Sequence, residues 1–335
     1  MTIDRIELSH GSGKGLQELL GEIIFPVLAS DHTGAFEDAA VISPGCGKIA
    51  FTTDSFVVNP LEFPGGDIGK LAACGTINDL AMMGAVPTHL AVSLILEEDL
   101  DAGLLRKILK SLKDMCALTN VAISCGDTKV VEKGKADGIF ITTAGIGSVH
   151  EGINLSAGFA RKNDTIIISG PVGLHGIAIL AQRKNLGFAS SAVSDCAPLH
   201  EPALALLEAV PETRVMRDAT RGGCATVLNE IAADSGVTIR LKKTDIPVPQ
   251  VVESACAFLG FDPLQIANEG TFAAVVPSDM AQKALEALYS CPQSKNAAII
   301  GKVENKGRFP LVLETEVGGT RPVEIPPGRL LPRIC

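Results

Sequence analysis

Five aspartates stand where a carboxylate does little for solubility: Asp38 in Glu37-Asp38-Ala39-Ala40-Val41, Asp54 after Phe51-Thr52-Thr53, Asp79 in Ile77-Asn78-Asp79-Leu80, Asp127 in Cys125-Gly126-Asp127-Thr128 and Asp218 in Met216-Arg217-Asp218-Ala219. Each adjoins apolar or small residues, where an ionised carboxylate is costly unless a cation or several donors compensate it. Any one of them alone reads as a turn former or helix cap. Together they suggest an oxygen-only ligand set suited to Mg²⁺, an ion commonly held by carboxylates in company with substrate phosphates. Gly11-Ser12-Gly13-Lys14-Gly15 and Arg221-Gly222-Gly223 offer unhindered backbone N–H groups to a phosphate, the second ahead of a predicted helix whose N-terminus attracts anions. Neither is a nucleotide-binding P-loop; residues 65–70 come one position short of that pattern and are followed by Leu71. The glycines of 170–176 lack dinucleotide-fingerprint spacing, and the six scattered histidines read as structural or surface residues. The most distinctive group is Cys335. Prolines 322, 326, 327 and 332 make residues 320–335 an extended tail that at ~3.3 Å per residue could reach roughly 50 Å, and the charge of Arg333 is expected to favour a reactive thiolate. A swinging covalent carrier would be built in this way.

The elements that must position these groups follow from the hydrophobic period. Strands are expected at 48–53, 88–96, 121–124 and 139–146, rich in Val, Ile, Phe and Thr between Gly and Pro punctuation, with helices at 68–83 and 102–118. A polar junction at 150–164 precedes a second alternating series, with strands at 165–169, 237–241, 271–276, 297–303 and 311–313. Its helices are expected at 175–184, 200–209, 223–234, 249–259 and 279–289. This is an α/β (α+β) chain in two parts, divided at 1–150, 151–314 and a tail of 315–335. A net charge of −9 with 4% aromatic residues argues against nucleic acid as a partner. The richest apolar run, 165–181, is broken by Gly170, Pro171, Gly173, His175 and Gly176, so no membrane span is expected. The start carries Asp4 and Glu7 and does not read as a secretion signal, which gives a cytoplasmic expectation. Nine cysteines with no Cys-x-x-Cys spacing argue against a disulfide framework or a zinc ribbon.

Six segments carry a resemblance: Thr52-Thr53-Asp54-Ser55-Phe56-Val57-Val58, residues 63–71, Asn78-Asp79-Leu80-Ala81-Met82-Met83-Gly84, Gly126-Asp127-Thr128-Lys129-Val130-Val131, Arg217-Asp218-Ala219-Thr220-Arg221-Gly222-Gly223 and Pro332-Arg333-Ile334-Cys335. On these residues the chain resembles, over essentially its whole length, the HypE hydrogenase maturation proteins, the carbamoyl dehydratases. The middle motifs are also similar to the wider superfamily of aminoimidazole ribonucleotide synthetase, selenophosphate synthetase and thiamine-phosphate kinase. The terminal Pro-Arg-Ile-Cys singles out the first.

The resemblance implies a PurM-like N-terminal ATP-binding domain whose sheet pairs across a homodimer, an α/β C-terminal domain and a flexible tail bearing a modified thiol. It implies that a partner carbamoyltransferase, HypF, places a carbamoyl group on Cys335. ATP then drives its dehydration to a thiocyanate, and the cyanide passes to a HypC–HypD complex building the iron centre of [NiFe]-hydrogenase. By motif match, Asp38, Asp54, Asp79, Asp127 and Asp218 bind Mg²⁺ and phosphate. Gly11, Ser12, Gly13, Gly15, Thr53, Asn78, Gly126, Thr128, Arg221 and Gly222 join Asp54, Asp79 and Asp127 around ATP. Lys129 and Glu269 stand near the carbamoyl end, with Glu269 the expected general base. Taken without the resemblance, Lys129 is a surface salt-bridge residue and Glu269 a loop-end carboxylate.

Two departures are visible. Lys14 sits one place earlier than the family's Gly-Ser-Gly-Gly-Lys order, and Ala219 stands where proline is frequent. Two other readings compete: a sister enzyme phosphorylating a small molecule, such as a selenophosphate synthetase, and a non-catalytic carrier whose tail ferries a group for a partner. The first lacks a Cys or Sec in the 11–15 loop, and the second has no use for the aspartate set.

Overall fold

Alternation of period two along residues 49–56 and 85–97 builds strands that bury one face and leave the other bare. In the structure, a computed structural model describing residues 3–7, 19–28, 47–184, 191–326 and 333–335, these belong to a four-stranded sheet. Its strands are β1 (Ile49–Phe56), β2 (Ala85–Glu97), β3 (Ala122–Val131) and β4 (Ile139–Val149), in the order β1-β4-β2-β3. Only the β2–β3 pair is parallel, and its crossover is α2 (Ala102–Leu118), capped at its N-terminus by Asp101. Residues 11–15 and Asp38 lie outside the described residues, so the expected loop over phosphate and the first aspartate receive no structural account.

The inner face of this sheet carries Leu90, Val92, Leu94, Leu96, Ile139 and Ile141, all buried. Against it lies α1 (Ile68–Met82), which Asp67 caps by accepting from the N–H groups of Gly69 at 2.8 Å and Lys70 at 2.9 Å. This helix is apolar nearly all round, as a helix enclosed on every side must be. Small residues let its neighbours close in: a methyl at Gly69 would meet the Ile108 carbonyl of α2 at 2.1 Å, and one at Gly75 would meet the Phe56 ring at 2.8 Å. The outer face of the sheet is uncovered in the single chain, leaving Phe51 71% and Ile49 47% exposed.

The second sheet has seven strands: β5 (Thr165–Ile168), β6 (Val215–Asp218), β7 (Thr238–Lys242), β8 (Phe272–Val276), β9 (Ala298–Glu304), β10 (Leu311–Glu314) and β11 (Thr320–Pro322). Their order is β11-β10-β7-β9-β5-β8-β6, antiparallel except where β10 meets β7. Helices α3 (Leu174–Lys184), α4 (His200–Ala209), α5 (Gly223–Ser235), α6 (Gln250–Leu259) and α7 (Ala281–Ser290) complete this part. The expected elements of both halves are present with ends shifted by a few residues, except that β3, expected to end at 124, runs on to Val131 and takes in Asp127 and Lys129. Four strands are additions, two of them the short antiparallel pair at 62–63 and 66–67 that leads into α1. β6 is short and bears Arg217 and Asp218, so it shows no apolar run. β11 occupies the start of the stretch expected to be a free tail; as an outermost strand it accommodates Pro322, which has no N–H to give.

The fit of α1 against α2 sets where the end of α1 delivers Asp79. We expect Gly69→Ala to destabilise the chain by about 3 kcal/mol, because the contact it violates is backbone rather than a movable side chain. Urea unfolding monitored by circular dichroism checks this; wild-type stability in the variant would show that α1 has room to shift.

Candidate active site

α1 crosses the inner face of the first sheet so that its last turn meets β1 and the end of β6. Asp79 of α1 and Asp54 of β1 come within hydrogen-bonding reach of each other. Thr52 Oγ1 donates to Asp79 at 2.9 Å, and Thr76 Oγ1 lies 2.9 Å from Asp54 and 2.5 Å from Thr143 Oγ1. Asp218 at the end of β6 is the third member. Burial, then the charge of Asp54, pushes the Asp79 carboxyl up to about 6; burial, then Asp79, pushes Asp218 up to about 7. Arg217 opposes both shifts, but its guanidinium is paired with Glu230 at 2.9 Å. Among the described residues no three His, Cys, Asp or Glu side chains close on one ion by themselves. The donor set is nonetheless all oxygen and short of cations. Such a set fits Mg²⁺, which keeps waters and shares its shell with substrate phosphates.

Glu269, in the loop leading to β8, is 3% exposed and its Oε1 has no hydrogen-bond partner. Burial, then Cys196, Asp218 and Asp195, raises it well above the usual carboxylate range, with Arg221 opposing. The loop is held from both sides. Asp195 accepts from the N–H groups of Glu269 and Gly270, each at 3.1 Å. Asn78 donates to the carbonyls of Ala197 at 3.1 Å and Glu269 at 3.4 Å, while its oxygen accepts from Leu199 N–H at 2.7 Å. Asn78 therefore ties α1 to the second sheet's loops instead of facing a ligand. Asp195 escaped the sequence reading because Ser194-Asp195-Cys196 has no motif; only the fold brings it under Glu269.

The terminal Arg333-Ile334-Cys335 segment is docked into this region. Val57 N–H donates to the Cys335 main-chain oxygen and Asn59 N–H to that of Arg333, both at 3.3 Å. The Ile334 side chain is 4% exposed within the core of the first sheet and α1. The Cys335 thiol feels the charges of Glu269, Arg221, Asp218 and Asp54, so it stands among the groups just described. The expectation that Arg333 activates it does not hold here. That guanidinium pairs with Asp137, donates to Val57 O at 3.1 Å and lies over the Phe140 ring. Burial first, then Glu269, raises the thiol instead, which favours the protonated form of the docked, half-buried Cys335.

The remaining sequence candidates separate into two groups. Arg221 and Gly222 lead into α5, where Gly222 is the cap in the left-handed region at φ 77° and supplies no side-chain cap. The first N–H of α5, that of Gly223, instead donates to the Thr220 carbonyl at 2.8 Å and closes the turn into the helix. Thr53, Asp127 and Lys129 face the other way. Thr53 is exposed on the outer face and bonds Thr143 O at 2.9 Å. Lys129 Nζ grips both Asp127 oxygens at 2.6 and 2.7 Å, and this pair holds the Asp127 carboxyl below the usual range. Thr128 between them is buried on the inner face. Gly126 serves packing, since a methyl there would strike the Val92 carbonyl at 2.4 Å.

This combination of two sheets and an acidic junction is that of the AIR synthase related proteins. Their N-terminal domain matches residues 36–149 and their C-terminal domain residues 161–314. Within that class the chain belongs to the HypE family, the carbamoyl dehydratases of hydrogenase maturation. It is 46% identical over 332 residues to carbamoyl dehydratase HypE of Azotobacter vinelandii, covering 98% of this chain and 97% of that one. It is 40% identical over 340 residues to that of Escherichia coli K12, covering 99% and 100%. A crystal structure of HypE in complex with ATP superposes with a TM-score of 0.94 at 40% identity, covering 98% and 99% of the two chains. One of a HypE–HypF complex gives 0.81 at 44%, covering 92% and 99%. Thiamine-monophosphate kinase of Stenotrophomonas maltophilia, at 18% identity and a TM-score of 0.65, shares the fold.

Carboxyls raised by burial and by one another's charge weaken the fold as they ionise. Both Asp79 and Asp218 bind protons more tightly folded than unfolded, so the stability they confer is complete below about pH 4 and is lost as pH rises through 6 to 7. We expect Asp79→Asn to melt higher than wild type at pH 7.5 without metal, by roughly 2 °C for about 1 kcal/mol, and to narrow that gap at pH 4.5. Scanning calorimetry at the two pH values checks this; a variant less stable than wild type at pH 7.5 would mean that the cluster is compensated from within.

Proposed function

We propose that this chain dehydrates a carbamoyl group carried on Cys335 to a thiocyanate, with ATP as phosphoryl donor, supplying the cyanide ligand for the iron centre of a [NiFe]-hydrogenase. The observation that carries the reading is the docking of the Arg333–Cys335 segment, which brings the thiol within electrostatic reach of Glu269, an unpartnered buried carboxyl, and of Asp218 and Asp54. An amide oxygen is a poor leaving group, and transfer of the γ-phosphoryl group to it makes it phosphate. The two N–H protons leave and the C–O bond breaks, so that R–S–C(=O)–NH₂ and ATP give R–S–C≡N, ADP and phosphate. Glu269, raised by burial and desolvated, is the base that takes a proton from the nitrogen. Arg221 balances the phosphate charge, and the positive end of the α5 dipole beside it favours an anion.

Asp54, Asp79 and Asp218, with Asp38 outside the described residues, would hold Mg²⁺. The ion, when bound, neutralises the triphosphate and aligns its γ-phosphoryl group. The 11–15 loop, with Lys14 out of the family's register, keeps its proposed place over the phosphates, and the division of the chain at 150 and 314 remains the proposed one. Asp127, Thr53 and Lys129 lie on the outer face, away from Asp54, so they reach a nucleotide only where two copies pair. Closing that face in a homodimer covers Phe51 and Ile49 and gives those residues a role. A HypF-type carbamoyltransferase is the proposed source of the carbamoyl group and a HypC–HypD complex the acceptor of cyanide. No helix among the described residues is long and apolar enough to cross a membrane, and the cytoplasm is the proposed location.

Protein carbamoylated on Cys335 is expected to lose the mass of one water on addition of Mg·ATP, read by intact mass spectrometry, and Asp54→Asn to slow that loss by 10²-fold or more. Full carbamoyl mass retained despite measured ATP binding would leave a carrier without dehydratase activity. For the homodimer, Phe51→Asp is expected to sediment as a monomer where wild type is a dimer; an unchanged sedimentation coefficient would remove the outer face from the assembly.

A further inference from the structure

His175, fully buried near the start of α3, belongs to no catalytic or metal set described above. Its two ring nitrogens are both engaged. Nδ1 lies 2.8 Å from Ser194 Oγ, and Nε2 lies 2.8 Å from the carbonyl oxygen of Ile334. A carbonyl can only accept, so Nε2 carries the hydrogen and Nδ1 is left to accept. Ser194 Oγ already accepts from Cys196 N–H at 3.0 Å, so its own hydrogen is available to point at Nδ1. The neutral tautomer is thus fixed by a chain of donors running from Cys196 N–H through Ser194 and His175 to the tail. Ser194 is itself pinned, its N–H donating to Pro64 O at 2.8 Å, and the edge of the Phe63 ring packs on the imidazole.

The bonded carbonyl is that of the residue just before Cys335, and on the other side the Cys335 oxygen takes the Val57 N–H at 3.3 Å. Gly176, next to His175, lies under both Ile266 and Ile334: a methyl there would meet Ile266 Cγ2 at 2.5 Å and Ile334 Cδ1 at 3.3 Å. Arg183, two turns further along α3, donates to the carbonyls of Asn59 and Arg333, the latter at 2.6 Å. One helix therefore grips the carbonyls of two of the three terminal residues, Arg333 and Ile334. We propose that His175, oriented by Ser194, is the positioning residue that latches Ile334 and so seats Cys335 beside Glu269 and the acidic cluster. The chemical consequence rests on the reading of Cys335 as a tethered substrate; the latch itself does not.

For a tethered substrate the fraction of time spent docked multiplies the rate of chemistry, whereas any reaction at the freed thiol scales with the undocked fraction. Loss of the latch must move the two in opposite directions. The test is the rate of Cys335 alkylation by iodoacetamide, read on the C-terminal peptide of the full chain. His175→Leu is expected to speed it about tenfold, and His175→Gln, whose amide N–H can replace Nε2–H, to stay near wild type. Cys74 and Cys224, buried in the two cores, remain unmodified in any folded variant. Ser194→Ala, a smaller change, is expected to fall between the two and serves if His175→Leu does not fold. In carbamoylated protein, loss of the latch is expected to lower the single-turnover rate without moving the ATP concentration for half-maximal rate. Equal alkylation rates in wild type, His175→Leu and Ser194→Ala would overturn the proposal, as would His175→Gln matching His175→Leu. Faster alkylation in His175→Leu, with wild-type protein failing to lose water, would uphold the latch and reject the dehydratase reading.

Discussion

Carboxyl groups from separate elements are forced into one small volume, and much else in the molecule exists to hold them there. Asp54 comes from a strand, Asp79 from the last turn of a helix enclosed by both sheets, and Asp218 from the end of a strand in the other sheet. Among the described residues their repulsion is only partly relieved, because Arg217, which opposes it, is paired with Glu230, and Lys129 is turned to Asp127. The close seating of α1, through Gly69 on α2 and Gly75 on Phe56, supplies the packing that resists their separation. A site under such strain is prepared for a cation and for phosphate, whose binding removes the repulsion.

The same volume is closed on its other side by ionisable groups that burial raises. Glu269 has no partner for Oε1, Asp195 is held up to about 6 by burial despite two backbone donors, and the thiols of Cys196 and Cys335 are raised. Dry surroundings of this kind suit proton removal from an amide nitrogen, since a desolvated carboxylate is a stronger base. They suit a free thiolate badly. A docked Cys335 is accordingly protected from reaction at sulfur, so attachment of a group to it belongs to the undocked tail and its conversion to the docked one.

The elements themselves were legible from residue patterns. Runs of Val, Ile, Phe and Thr between Gly and Pro marked β1, β2 and β4, and the apolar stripe of Leu105, Ile108, Leu109 and Leu112 marked α2, because a buried face leaves its residue types and period in the sequence. β6 and β11 were not legible: the one carries site residues in place of apolar ones, and the other contains proline at an outer edge. The chemical character of the site was also readable, since aspartates set among apolar neighbours announce a cost that some ligand must offset. Which of them meet was not. Asp54 and Asp127 look alike as strand aspartates, yet the pleat sends them to opposite faces of one sheet, a difference set by register and not by residue type.

The chain's order of amino acids, then, determined the strands and helices, the acidic chemistry and the thiol at residue 335, because each leaves a local mark in spacing or composition. Tertiary structure alone decided that Asn78 would clamp backbone, that Asp195 would hold the Glu269 loop, that Arg333 would turn from its neighbouring thiol to Asp137, and that His175 would grip a carbonyl 159 positions away. These are contacts between segments remote in the chain. Their partners are chosen by the packing of α1 and α3 between the sheets, and no local pattern encodes a hydrogen bond whose other half arrives only after the fold has closed.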